Sequence, residues 1–439
     1  MKLMSLFRRW LYPPVVPTIP KYGRGVHALP NPKEHELFDL ASKAFIQGNR
    51  IQGYDYFFSS LTHLSTSKHL TYALLDDHLT FELFQGGAII RGKVTHDALE
   101  ASAVIVNTDN LHVALKRRFL ERNFQLTYAR FCNHEGVLTL KLYLDNAAIT
   151  PQKIFFPLRE IALNADFEKE MIAGEFENIP LLEYDHLRSL TQEQYTQLHG
   201  WMLTWIDQTK KSLLGLLSND NTGMVSFSYL ALLLQIDYLL IPRKKMAKEI
   251  AEKVNSYFMD DEKLTEDRNA DLEVYLAELE TMSVAQFSTQ IYRADYTFSP
   301  FDQALHDEIA AFIDESLNKV RWYKNNHANY VIGAIYRYIA LYVLYNYGLH
   351  PTLRSLMHLH VQVYTSDFFQ DMGEKRLYDP RSNHFDQDLI NEYIEAAILP
   401  YQERYKGLKN FSDELNYTDL DHFSQSLYQQ ISNLDFSES

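Results

Sequence analysis

The sequence predicts an α+β chain: an N-terminal antiparallel sheet flanked by helices, in the order α-β-β-β-α-β-β-α, followed by a large all-α half. Three observations predict it. In VLTLKLYLD, residues 137–145, Leu138, Leu140, Leu142 and Leu144 alternate with Val137, Thr139, Lys141 and Tyr143. A period of two marks a half-buried strand. Further extended runs separated by turn residues lie between residues 70 and 145. From Leu181 onward the apolar spacing is helical almost throughout.

The first 32 residues form no element. Pro13, Pro14, Pro17, Pro20, Pro30 and Pro32 are six of the chain's 14 prolines, and such density keeps a segment out of helices and central strands. It tethers a basic, aromatic head, MSLFRRWLY, which carries Leu6, Phe7, Trp10 and Leu11. A helix follows, with Pro32 near its first position and Leu37, Leu40, Ala41, Ala44 and Phe45 on one face. GYDYFFSSLTHL extends it as a second piece. LTYALLDD, LTFELF and AIIRGKV read as strands, with Gly86-Gly87 as a turn. After a patch of small residues, DNLHVALKRRFLERN reads as a helix capped by Asp109 or Asn110, with Leu111, Ala114, Leu115 and Phe119 apolar. FQLTYARFC pairs with the Leu-rich strand through Asn133-His134-Glu135-Gly136. After Pro151 an amphipathic helix runs to Ile172. The domain division is therefore 1–32 head and tether, 33–175 α+β domain, 183–439 all-α domain.

Within the all-α domain, helices are expected over Gln192–Leu217, Ser226–Leu240, Lys244–Phe258, Asp271–Tyr292, Pro300–Asn318, Ala328–Tyr347, Thr352–Phe369, Asp386–Lys406 and Asp419–Leu434. MDDEKLTEDRN and the stretch between Gly373 and Asp388 read as loops.

The net charge of -15 over 439 residues disfavours bulk nucleic-acid binding. One cysteine excludes an internal disulfide framework and suits a reducing compartment. The N-terminus lacks the unbroken apolar core of a signal peptide, so the chain reads as cytoplasmic. Residues 328–347 are long enough to span a bilayer, but Arg337 sits near their centre, where it costs about 2.5–3.5 kcal/mol. They read as a bundle helix, so no transmembrane segment is expected.

The block VNTDNLHVALKRRFLERNFQLTYARFCNHEGVLTLKLYL, residues 106–144, together with the element order, resembles the type III secretion chaperone-like fold and the YbjN-like proteins. The resemblance covers about a third of the chain. It implies a bacterial, chaperone-like protein that holds an extended client and forms a homodimer, unless the extra helices take that interface.

Candidate chemistry is sparse. Cys132 lies near a strand end with His134 two residues on; the reading is a buried structural thiol. His358 and His360 share a face on a strand but lie about 200° apart on a helix, and the longer spacing is helical, so no metal site is expected. Glu183 and His186 have di-iron spacing without a second copy. No phosphate-cradling, nucleophile-elbow or zinc-protease motif occurs. The expectation is a non-enzymatic, cofactor-free protein that binds a protein or peptide client, through Phe131, Val137, Thr139 and Tyr143 on the hairpin and through Phe7 and Trp10 of the head. The alternatives are a helical scaffold and an enzyme whose site lies in the helical half.

Overall fold

A computed structural model of the chain describes residues 22–23, 32–62, 69–75, 77–176, 178–214, 222–259 and 262–438. The first half comprises α1 (Pro32–Ile46), α2 (Arg50–Thr62), β1 (Leu70–Leu74), β2 (Leu79–Gln85), β3 (Ala88–Val94), β4 (Ala98–Asn107), α3 (Val113–Arg122), β5 (Arg130–His134), β6 (Val137–Asp145) and α4 (Pro151–Glu175). The six strands form one antiparallel sheet in the order β1-β2-β3-β4-β6-β5. The α+β class stands, but the small-residue patch is β4, a strand the sequence pattern did not reveal. It sits inside the sheet, paired with β3 and β6. Its core side carries Leu99, Ala101, Ala103 and Ile105, opposite Leu144, Leu142 and Leu140 for the first three. Alanines there leave room for α4, which buries Ile154, Leu158, Ile161, Ala162 and Ala165 against the sheet core.

The β5–β6 hairpin closes through two residues, Glu135 and Gly136, both with positive φ (52° and 81°), the geometry that matches strand twist. α3 begins at Val113 with His112 before it, and no side chain caps it.

The second half comprises α5 (Gln192–Leu213), α6 (Thr222–Leu240), α7 (Lys244–Met259), α8 (Thr265–Thr281), α9 (Val284–Ser288), α10 (His306–Asn325), α11 (Ile332–Asn346), α12 (Pro351–Tyr364), α13 (Ser366–Asp371), α14 (Gln387–Ile398) and α15 (Leu420–Ser432), with a ribbon of β7 (Tyr378–Asp379) and β8 (His384–Phe385). The helix expected over Asp271–Tyr292 breaks at Met282, because Ser283 and Gln286 form a capping box that starts α9 afresh. The helix expected from Pro300 begins only at His306, because the chain before it is held, at Asp295, Thr297 and Phe298, by the sheet and, at Ser299 and Asp302, by Arg159 of α4. Gln85 Oε1 accepts from the Thr297 and Phe298 amides at 3.1 and 2.9 Å, and its Nε2 donates to the Phe298 carbonyl at 3.2 Å.

Among the described residues, one helix is long and apolar enough to cross a membrane. It is α6, not residues 328–347, and 89% of its apolar window is buried by the surrounding helices.

Two apolar cores result. One gathers Ala41 through Ile179 and takes in Phe298; the other gathers Tyr195 through Leu434 and takes in Tyr22. Between them lies a buried polar junction. Glu170 of α4 accepts from Tyr184 Oη (3.0 Å), Tyr292 Oη and the Lys244 amide (3.0 Å). Arg243 lies over the rings of Tyr292 and Tyr296 at 5.2 and 5.1 Å. Burial alone would push the Glu170 pKa up; the Arg243 guanidinium and these hydrogen bonds overcome it and hold the carboxyl below its ordinary range.

Candidate functional site

The residues expected to bind a client do not share one surface. β5 and β6 pair with Phe131 opposite Leu140, so Phe131 lies on the core side, 5.0 Å from the Phe119 ring. Thr139 is on the other side but buried between Val104 and Cys132. Val137 is half-buried at the turn, and only Tyr143 is open, at 63% exposure. The open side is otherwise polar, with Glu82, Arg91, Ser102, Lys141 and Arg130 in one cross-strand row. Phe7 and Trp10 lie outside the described residues, as does most of the tether.

Apolar exposure concentrates elsewhere, around α3 and α4. Leu120 is 66% exposed, Phe124 92%, Phe167 54%, and Tyr128 and Phe156 are also open. The polar groups beneath them hold this surface in place. Glu168, fully buried on α4, takes Arg122 Nε at 2.9 Å and Arg118 Nε at 3.3 Å, which fastens α3 to α4. Arg122 also donates to Asn164 Oδ1 at 2.6 Å and stands 5.6 Å over the Phe167 ring. One turn from Phe156, Glu160 accepts three consecutive amides of the α3–β5 loop, Thr127, Tyr128 and Ala129, at 2.7–2.8 Å. Asn123 closes the loop onto the sheet edge. Its amide donates to the Phe131 carbonyl at 3.0 Å, and its oxygen accepts the Phe131 amide at 2.7 Å. That bidentate contact occupies the outer edge of β5, where a further strand would pair. The apolar side chains thus stand on a fixed base, and the site is a side-chain surface rather than a strand edge.

The sequence carried a signal for this surface. Val113 and Leu120 fall off the apolar stripe of α3, Phe156 and Phe167 fall off that of α4, and Phe124 lies beyond the helix end. Five large apolar residues outside every stripe are residues the core does not claim.

The candidates for chemistry separate in space. Cys132 is half-buried rather than buried, and its thiol faces the Thr139 carbonyl at 3.5 Å. His358 pairs with Tyr238 Oη and His360 with Ser424 Oγ, at 2.9 and 3.0 Å, on opposite sides of α12. Glu183 binds Arg91, whereas His186 meets the Gly86 carbonyl. Among the described residues, no three His, Cys, Asp or Glu side chains converge as metal ligands.

A cleft of about 550 Å³ opens between α10, α11, α12 and α15, lined by Lys324, Tyr336, Tyr364, Asp421, His422 and Ser424. Several of its polar groups satisfy one another. Lys324 pairs with Asp421 at 2.8 Å, and Tyr336 Oη donates to the same carboxylate at 3.0 Å. The Ser424 proton goes to the Leu420 carbonyl at 2.7 Å, so the hydroxyl oxygen accepts from His360 instead of being deprotonated by it. Burial, with Arg337 nearby, lowers the His360 pKa to about 3, which makes it a poor base. No protein-family model matches the chain, and no curated protein matches its sequence.

Proposed function

We propose that the chain is a non-catalytic polypeptide-binding protein of the cytoplasm, chaperone-like in action, which holds a client on the face formed by α3, α4 and the loop between α3 and β5. The observation that carries this is the set of Leu120, Phe124, Tyr128, Phe156 and Phe167, each exposed on α3, α4 or the loop after α3, where Glu168 ties the two helices together and Glu160 clamps the loop amides. Large apolar side chains left exposed around one pair of helices mark an interaction site, and each contributes about 1.5–3 kcal/mol when fully buried by a partner. The rigid base lowers the ordering cost of binding. Support also comes from the resemblance of residues 106–144 to secretion chaperone-like proteins, since that block contains α3, the loop and the hairpin. The single cysteine is in keeping with a reducing compartment.

The test is suppression of aggregation. The protein is mixed with a destabilised client polypeptide, and light scattering is followed as a function of protein concentration. The wild-type chain is expected to suppress scattering, and Phe124→Asp combined with Phe167→Asp to abolish suppression while leaving the melting temperature within a few degrees. Equal suppression by the wild type and the double variant would reject the reading.

A further inference from the structure

Tyr22 and Gly23 belong by sequence to the Pro-rich tether, yet they sit inside the helical half. The Tyr22 ring stacks on His358 of α12, with 5.9 Å between centroids and 20° between planes. Phe369 and Phe368 of α13 meet it edge-on at 5.0 and 5.9 Å. The next amide, that of Gly23, donates to the Tyr238 carbonyl near the end of α6 at 2.8 Å. The walls are themselves braced. Tyr238 Oη pairs with His358 Nδ1 at 2.9 Å, and Trp205 backs Phe368 at 5.2 Å.

The position after the tyrosine is as restrictive as the tyrosine pocket. Gly23 has φ +75°, and a Cβ there would stand 2.6 Å from the Tyr238 ring. Any other residue meets both a left-handed backbone and a collision. The socket therefore reads a flat aromatic ring, the absence of a side chain after it, and one backbone N–H. These are the elements of peptide recognition: a pocket for affinity and a main-chain bond for register.

We propose that this socket is a peptide-binding site for an aromatic–glycine step in a partner polypeptide, with Tyr22–Gly23 as its displaceable occupant in cis. The tether connects Gly23 to α1, which begins at Pro32. A short link of this kind gives the cis occupant an effective concentration in the mM range, so the partner must displace it or bind a chain that has released it. The site is separate from the α3–α4 face and does not depend on it.

The experiment uses full-length protein and a fluorescent peptide copying residues 18–26, TIPKYGRGV, read by anisotropy. Tyr22→Ala is expected to bind the peptide saturably, about 100-fold more tightly than the wild type, whose own tether competes. A peptide with alanine in place of the first glycine is expected to bind about tenfold or more weakly. The melting temperature of Tyr22→Ala should rise when the peptide is added. If Tyr22→Ala does not fold, Tyr22→Leu serves in its place. Absence of saturable binding by a folded variant overturns the proposal, as does equal binding by variant and wild type. Failure of both variants to fold also overturns it, because Tyr22 is then a fixed core residue.

Discussion

Glu160 and Glu168 lie eight residues apart on α4 and are matched to different partners. Glu160 gathers three amides that a loop would otherwise leave to water; Glu168 neutralises two arginines of α3 while fully buried. Glu160→Ala should destabilise the fold by about 1.5–3 kcal/mol, the range for a hydrogen-bonded charged group. Hydrogen exchange at Thr127, Tyr128 and Ala129 should accelerate more than elsewhere. Unchanged protection of those three amides would show that the loop holds itself. Glu170→Gln should lower the melting temperature, because it removes one of the two carboxylate charges, with Asp166, that face the buried Arg243 guanidinium; thermal unfolding measures this, and an unchanged midpoint would mean that Asp166 suffices. Cys132→Ser should change stability by less than about 0.5 kcal/mol, since a half-buried hydroxyl can still donate to the Thr139 carbonyl. A large loss of client binding with unchanged melting would assign the thiol a role after all.

At the scale of elements, the sequence was legible wherever one apolar pattern met one face. The alternation of β6, the spacing of α4 and most helices from Gln192 onward followed from it, but α8 starts at Thr265 inside the stretch read as a loop, and the boundaries at Met282 and His306 were missed. β4 was not legible, because a strand beneath a close-packed helix uses alanine where others use leucine, and ALEASAVIVN then shows little contrast between faces. The side of Phe131 was misread for a different reason. Either turn length pairs Phe131 with a leucine of the core face, Leu138 for a four-residue turn and Leu140 for the observed two-residue turn, so its core side was legible from the alternation of β6 and was overlooked. The surface residues around Phe124 were recognisable only as what the stripes left over. The same sheet offers a test of its packing. A Cβ on Gly92 would stand 2.3 Å from the Phe81 ring and 2.7 Å from the Glu100 carbonyl. Gly92→Ala should therefore cost about 1–3 kcal/mol through strain against backbone that cannot move aside. A neutral result in denaturant unfolding would mean that the strand pair yields more easily than its register implies.

The whole molecule has two cores joined by a polar seam, and its stability depends on keeping several buried histidines uncharged. Burial lowers the pKa of His350, His358 and His360 from 6.5 to about 3, with Arg404, Arg354 and Arg337 as their respective neighbouring charges. Below pH 6.5 the unfolded chain binds protons that the folded chain refuses. Stability should thus be fully present above pH 6.5 and fall progressively towards pH 3, by up to about 1.4 kcal/mol per pH unit for each histidine. Denaturant midpoints measured between pH 4 and pH 7 would show this slope, and a flat profile would mean that these side chains are not sealed from water. The central claim, however, is that the α3–α4 face holds a polypeptide. The most direct measurement is site-specific photo-crosslinking in the native cell, with a benzophenone amino acid placed at position 124 or 167, or at position 143 on the open side of the sheet. A discrete polypeptide adduct is expected at 124 and 167, absent at 143 and lost when Leu120 and Phe156 are changed to aspartate. No adduct at 124 and 167, or equal adducts at all three positions, would contradict it.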